Sequence, residues 1–132
     1  MSTFTSAHFQ LHQLADGVFA AIHREGGAAQ SNAGIIDLGD QVLIFDTFIA
    51  PAAAADLRDA VAAGLSRPVS ALINSHYHND HIWGNQAFPS DVPIISTIKT
   101  RELIVTLGAD EHRWFAAHSR ERLDALVTQL EK

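Results

Sequence analysis

Cysteine is absent from the 132 residues, which removes disulfides, thiolate metal ligands and thiol nucleophiles together. Basic charge is scarce. Nine Lys and Arg stand against 15 Asp and Glu, a formal net charge of -6, and no local basic patch is available to release counterions from a nucleic acid. There is no uninterrupted run of about 18 apolar residues. The opening stretch, MSTFTSAHFQLHQLA, has neither the basic nor the apolar region of a signal peptide. The expectation is a cytoplasmic chain that neither spans a membrane nor binds nucleic acid. With 47% hydrophobic residues, a chain of this length makes one domain with a modest core, or part of one. Histidine is plentiful, with 8 residues, so any metal site must be built from imidazole and carboxylate.

The chain opens with strand signals. His8–Ala15 alternates loosely and meets Asp16-Gly17, a dipeptide that closes hairpins, and Val18–His23 is the returning strand. Glu25–Ser31 reads as a connection. Ala33–Leu38, a Gly39-Asp40 turn and Gln41–Asp46 make a second hairpin, whose nearly continuous apolar run predicts burial on both faces. Pro51 begins PAAAADLRDAVAAGL, a helix with Gly64 near its end and Leu57, Ala60, Val61 and Leu65 as its packing stripe. VSALIN follows as a strand, so a β-α-β crossover lays it beside Gln41–Asp46. Val92–Ser96 is a further short strand. Thr97–Gly108 and Asp110–Lys132 read as two helices divided at Gly108, the second with Leu123, Leu126, Val127 and Leu130 on one face.

The chemistry gathers in Asn74–Asn85, NSHYHNDHIWGN. His76, His78, Asp80 and His81 are four metal-ligand side chains in six positions. In an extended segment His76 and His78 point one way, a natural pair for one ion, and Tyr77 points the other way, towards the core. A helical start near Asp80 turns Asp80 and His81 towards a second position. Two ions roughly 3.5–4 Å apart polarise one substrate between them, so this spacing suits a two-metal site better than a closed structural one.

At these residues the chain resembles the metallo-β-lactamase fold superfamily of metal-dependent hydrolases. The resemblance covers about residues 8–132 and is strongest in Ile73–Phe88. It takes in Ser31-Asn32-Ala33-Gly34-Ile35-Ile36 and Val42-Leu43-Ile44-Phe45-Asp46-Thr47. Ser75 stands where many members have Thr, and Trp83 where many have Gly. The resemblance implies an α/β (α+β) fold, the N-terminal αβ half of an αββα sandwich, with a mixed, mainly antiparallel sheet and helices on one face. Residues 1–132 are then a single domain that stops after the first half. It implies His76 and His78 as ligands of a first metal and Asp80 and His81 as ligands of a second, with Asp80 also catalytic and Asp46 standing behind the ligands. The cofactor implied is zinc, one or two ions, with iron or manganese also fitting such a donor set. The reaction implied is attack by metal-bound hydroxide on the carbonyl or phosphoryl centre of a small-molecule lactam, thioester, lactone or phosphodiester. The alternative is a catalytically incomplete half-domain that forms a homodimer or pairs with a complementary second-half fragment.

Other residues carry blander expectations. Asp46 either caps the turn before Pro51 or fixes the ring nitrogen of a ligand histidine. His8, His12 and His23 read as surface or edge-strand residues. Asp110, His112 and His118 fall in a helix with exposed or capping roles. Trp83 and Trp114 read as packing residues. Ser75 lies in no Gly-x-Ser-x-Gly turn, so serine nucleophile chemistry is not expected.

Overall fold

In a computed structural model the structure describes residues 4–130, apart from the side chains of residues 122, 126, 129 and 130. Strands β1 (Phe9–Ala15) and β2 (Val18–His23) form the first hairpin, with Gly17 at φ 70° in its turn. β3 (Ala33–Asp37) and β4 (Val42–Phe45) form the second hairpin. There Gly39 takes φ 100° and donates its N–H to Asp37 Oδ1 at 2.8 Å. Helix α1 (Pro51–Leu65) crosses over to β5 (Val69–Ile73), which runs parallel to β4, and β6 (Ile94–Ile95) adds a parallel edge. The sheet is therefore mixed, six strands in sequence order, with the first three pairings antiparallel and the last two parallel.

The core lies between α1 and one sheet face. Ala53, Ala54, Leu57 and Val61 of α1 pack in one cluster with Phe19, Ala21, Ile35, Val42, Ile44 and Leu72, the buried alternate positions of the strands. The opposite face shows in the register. Val18, Ile36 and Leu43 lie in one row and Ala20, Gly34 and Phe45 in the next. These are only partly buried, and Phe45 is 40% exposed. The apolar run through β4 is thus buried on one face, not two, because only the α1 side is covered by described residues.

α1 spans the fifteen residues expected, with Ser66 rather than Gly64 capping it in the left-handed conformation at φ 54° and donating its N–H to the Val61 carbonyl. Other expectations change. The two terminal helices are one, α3 (Ile98–Leu130), and Gly108 lies within it. A single interior glycine costs about 1 kcal/mol, too little to divide so long a helix. On the expected apolar face of its second half, Leu123 is 57% and Val127 46% exposed; the Leu126 and Leu130 side chains lie outside the described residues. The strand expected over Val92–Ser96 is only two residues long. No helix among the described residues is long and apolar enough to cross a membrane.

Candidate metal centre

The C-terminal ends of β4 and β5 lie side by side, and the chain leaves each in a turn. Beyond β4, Asp46 and Phe48 both take positive φ, 60° and 67°. Such strained non-glycine backbone is held only where its surroundings fix it. Here they do. The Thr47 N–H donates to the His81 carbonyl at 3.0 Å, and the Gly84 N–H donates to the Phe48 carbonyl at 3.0 Å. Beyond β5 the chain is not the extended segment expected but bends through Ser75–Tyr77, reaches His78, the N-cap of the short helix α2 (Asn79–Ile82), and enters a 3-10 turn at Trp83–Ala87. A Cβ on Gly84 would lie 1.7 Å from the Thr47 carbonyl oxygen and 2.7 Å from Ala54 Cβ, so glycine is required for the two turns to close on each other.

Asp46 is the hub of the site. It is buried, and its Oδ1 accepts the Ser75 N–H at 2.8 Å while Oδ2 accepts the Ser75 hydroxyl at 2.7 Å. Oδ2 also lies 2.8 Å from His81 Nδ1. A carboxylate only accepts, so these contacts fix the protons around it. His81 carries its proton on Nδ1, which leaves Nε2 as the electron-pair donor. The Ser75 hydroxyl gives its hydrogen to Asp46 and so accepts from His76 Nδ1, 2.9 Å away, again leaving Nε2 free to bind. Burial first, then the neighbouring imidazoles His81 and His78, hold the His76 pKa below the ordinary 6.5, against opposing pulls from Asp46 and Asp80. The neutral imidazole that ligates metals is therefore favoured.

The donors stand in two pairs. His76 Nε2 is 3.1 Å from His78 Nδ1, and His81 Nε2 is 3.4 Å from Asp80 Oδ2. The His76 and His81 rings adjoin, with centroids 4.1 Å apart. Two nitrogens at about 2.0–2.1 Å from a tetrahedral zinc lie about 3.3 Å from each other, so each pair has the span of two ligands on one ion. Among the described residues no set of three His, Asp or Glu side chains converges on a single point. The donor chemistry fits a metal, with two ligands in each pair.

Several contributors escape a reading of the sequence. The Asn74 and Asn85 amides, at the two ends of the histidine-rich stretch, bond reciprocally at 2.9 and 3.2 Å. Thr47 Oγ1 donates to Asn85 Oδ1 at 2.8 Å, and the Ser31 hydroxyl bonds the Asp80 carbonyl. Polar residues bracket the motif in the sequence, but their pairing depends on the β4–β5 crossover. Tyr77 is half-buried with its ring 4.5 Å from that of His78. It is not a core residue, because the segment leaves the sheet before reaching it. Trp83 packs on Phe115 and His112 of α3, with centroids 5.3 and 5.8 Å away. His118 stacks on Trp114, and Asp110 pairs with Arg113. His8 Nδ1 accepts the Ala28 N–H at 3.2 Å, and His12 is exposed on β1. His23, at the end of β2, lines a cavity that it shares with Asp46, Asp80 and His81.

The model of the metallo-beta-lactamase superfamily matches residues 26–130. Among solved structures, the chain is similar to a metallo-beta-lactamase from Hirschia baltica, at 24% identity and a TM-score of 0.66 over 76% of this chain and 48% of that one. It is also similar to the metallo-beta-lactamase FIM-1 from Pseudomonas aeruginosa, crystallised in a mono-zinc form, at 17% identity and a TM-score of 0.64 over 77% of this chain and 47% of that one. TMB-1 is similar at 18% identity and a TM-score of 0.63, over 78% and 49% of the two chains. At these identities the likeness is one of fold, and this chain spans about half the length of each.

Proposed function

This chain belongs to the metallo-beta-lactamase superfamily, and from that premise we propose that it carries the ligands of a metal-dependent hydrolase, His76 and His78 for one ion and Asp80 and His81 for a second. The observation that carries this reading is the donor arrangement: two pairs at 3.1 and 3.4 Å, with the far nitrogens of His76 and His81 tied through Ser75 and Asp46. Zinc suits imidazole and carboxylate donors, and when bound it supplies Lewis acidity and lowers the pKa of water to about 7. The chain's own residues set the stage for that chemistry. Asp46 holds the protons of His81 and Ser75 away from the donor nitrogens, and Ser75 does the same for His76. Asp80, on the first turn of α2, presents a carboxylate beside His81 that can accept a proton from a reacting group. Orienting partners of this kind raise ligand basicity and are worth 10–100-fold in metal affinity. The substrate class is a carbonyl or phosphoryl compound susceptible to water.

A second reading is favoured by the uncovered sheet face, where Ile22 and Phe45 are 38% and 40% exposed. Apolar patches rimmed by polar residues mark interaction surfaces. In this reading the chain completes its site by pairing with a second copy or a complementary fragment. Metal content together with turnover of a lactam, thioester, lactone and phosphodiester panel separates the two. Bound metal with turnover that is lost in His76→Ala supports the hydrolase. No turnover, with a dimer in light scattering, supports the second reading.

A further inference from the structure

A cluster of polar side chains ties the ends of β4 and β5 to the turn beyond His81. Thr47 follows Asp46, Asn74 stands between β5 and Ser75, and Asn85 lies in the 3-10 turn. Thr47 and Asn74 are buried, at 0% and 2% exposure. Their bonds are assigned hydrogen by hydrogen. The His81 carbonyl accepts the Thr47 N–H at 3.0 Å and lies 3.5 Å from Asn74 Nδ2. A carbonyl only accepts, so the nitrogen of the Asn74 amide, not its oxygen, must face it. That orientation fixes the other amide. Asn74 Oδ1 accepts from Asn85 Nδ2 at 2.9 Å, and Asn85 Oδ1 accepts from Asn74 Nδ2 at 3.2 Å. The Thr47 hydroxyl has one hydrogen, which goes to the nearer acceptor, Asn85 Oδ1 at 2.8 Å rather than the His81 carbonyl at 3.3 Å. Asn85 Oδ1 therefore receives one hydrogen from the end of β4 and one from the end of β5. No buried side-chain nitrogen or oxygen among the described residues lacks a hydrogen-bond partner, and a polar network satisfied in this way is rigid.

We propose that Asn85 is a positioning residue of the donor site: by gathering Thr47 and Asn74 on one amide, it sets where His81 stands against Asp46 and His76. Each partner of Asn85 is the chain neighbour of a residue that orients a donor. Thr47 adjoins Asp46, which accepts from His81 Nδ1, and Asn74 adjoins Ser75, which bonds both Asp46 and His76. A shift of the clasp thus moves the His81 ring against its acceptor and against the His76 ring, whose centroid is 4.1 Å away. His81 keeps its own bond to Asp46, so loss of the clasp loosens the imidazole without releasing it. The proposal rests on the proposed function in taking His81 as a metal ligand, whereas the seating of His81 on Asp46 is a property of the metal-free chain.

The test is histidine-ring NMR of the metal-free chain followed by titration with zinc, on the parent and three variants. Asn85→Leu removes both ends of the amide at similar volume. Thr47→Val removes one hydrogen from Asn85 Oδ1 and keeps the Thr47 N–H, and Thr47→Ser returns the hydroxyl. In Asn85→Leu the metal-free His81 ring ¹⁵N shifts are expected to move towards those of an imidazole exchanging between tautomers. They are expected to move less far in Thr47→Val and to stay near the parent values in Thr47→Ser. Zinc affinity read on the His81 resonances is expected to fall about two- to tenfold in Thr47→Val, the range of one hydrogen bond, further in Asn85→Leu, and to recover in Thr47→Ser. Unchanged His81 shifts in a folded Asn85→Leu, or Thr47→Ser behaving as Thr47→Val does, would overturn the proposal. Should Asn85→Leu fail to fold, the Thr47 pair decides by the same criterion. The metal reading fails separately, if zinc leaves His76, His78 and His81 of the parent unmoved, and the metal-free spectra still decide whether Asn85 positions His81.

Discussion

Ser75 links the buried Asp46 to His76. Its hydroxyl lies between Asp46 Oδ2 at 2.7 Å and His76 Nδ1 at 2.9 Å, so it relays the acceptor character of a buried carboxylate to a donor imidazole. Ser75→Ala breaks the relay and leaves the His76 tautomer unset. Zinc affinity, measured by competition with a chelating indicator, is expected to fall about 10–100-fold, and Ser75→Thr is expected to restore it because the hydroxyl returns. Proton competition follows from His76 itself. Its folded pKa is held below the unfolded 6.5, so on acidification the unfolded chain takes up this proton before the folded chain does. The His76 contribution is complete above 6.5 and is lost as pH falls from there through the lowered folded value. Denaturant midpoints of the metal-free chain should therefore decline more steeply on acidification through that window than those of His76→Gln. Equal slopes would contradict the assignment.

At the scale of elements, the site depends on two turns that interlock. The turn after β4 and the turn after α2 close through Thr47, Phe48, His81 and Gly84, and Gly84 is the point of closest approach. Gly84→Ala places a methyl group 1.7 Å from the Thr47 carbonyl. Overpacking of this kind costs about 1–3 kcal/mol and occasionally more, and the upper end is expected here because the obstacle is backbone. Thermal unfolding should show a lowered midpoint, and zinc affinity should fall with it as His81 is displaced. An unchanged midpoint would mean that the turns do not pack this closely. The hairpins, the crossover helix and the parallel placement of β5 were legible in the sequence because each rests on local signals: Asp16-Gly17, Gly39, Pro51 and alternating apolar positions. The division of α3 at Gly108 was misread because a local helix breaker is weaker than the propensity of the residues around it. The both-face burial of β4 was misread because an apolar run reports what a face can bury, not what is there to cover it.

At the scale of the whole molecule, the candidate site lies at the C-terminal ends of two parallel strands, the place where ligand sites gather on sheets of this kind. The NSHYHNDHIWGN stretch singled out His76, His78, Asp80 and His81 as candidate donors because His, His, Asp and His within six positions have few other uses. It could not disclose Asn74 facing Asn85 or Ser31 holding the Asp80 carbonyl, because those meetings join residues 11 and 49 positions apart that only the folded sheet brings together. The absence of cysteine sharpens the expectation for metal binding, since no thiolate competes with the imidazoles. Zinc titration by calorimetry, with the chain and three variants run side by side, tests the central claim most directly. The account predicts saturable zinc binding whose His76–His78 site is lost in His76→Ala and in His78→Ala, while His118→Ala binds as the parent chain does. Zinc stoichiometry and affinity unchanged in both of the first two variants, or binding that disappears in His118→Ala, would contradict it.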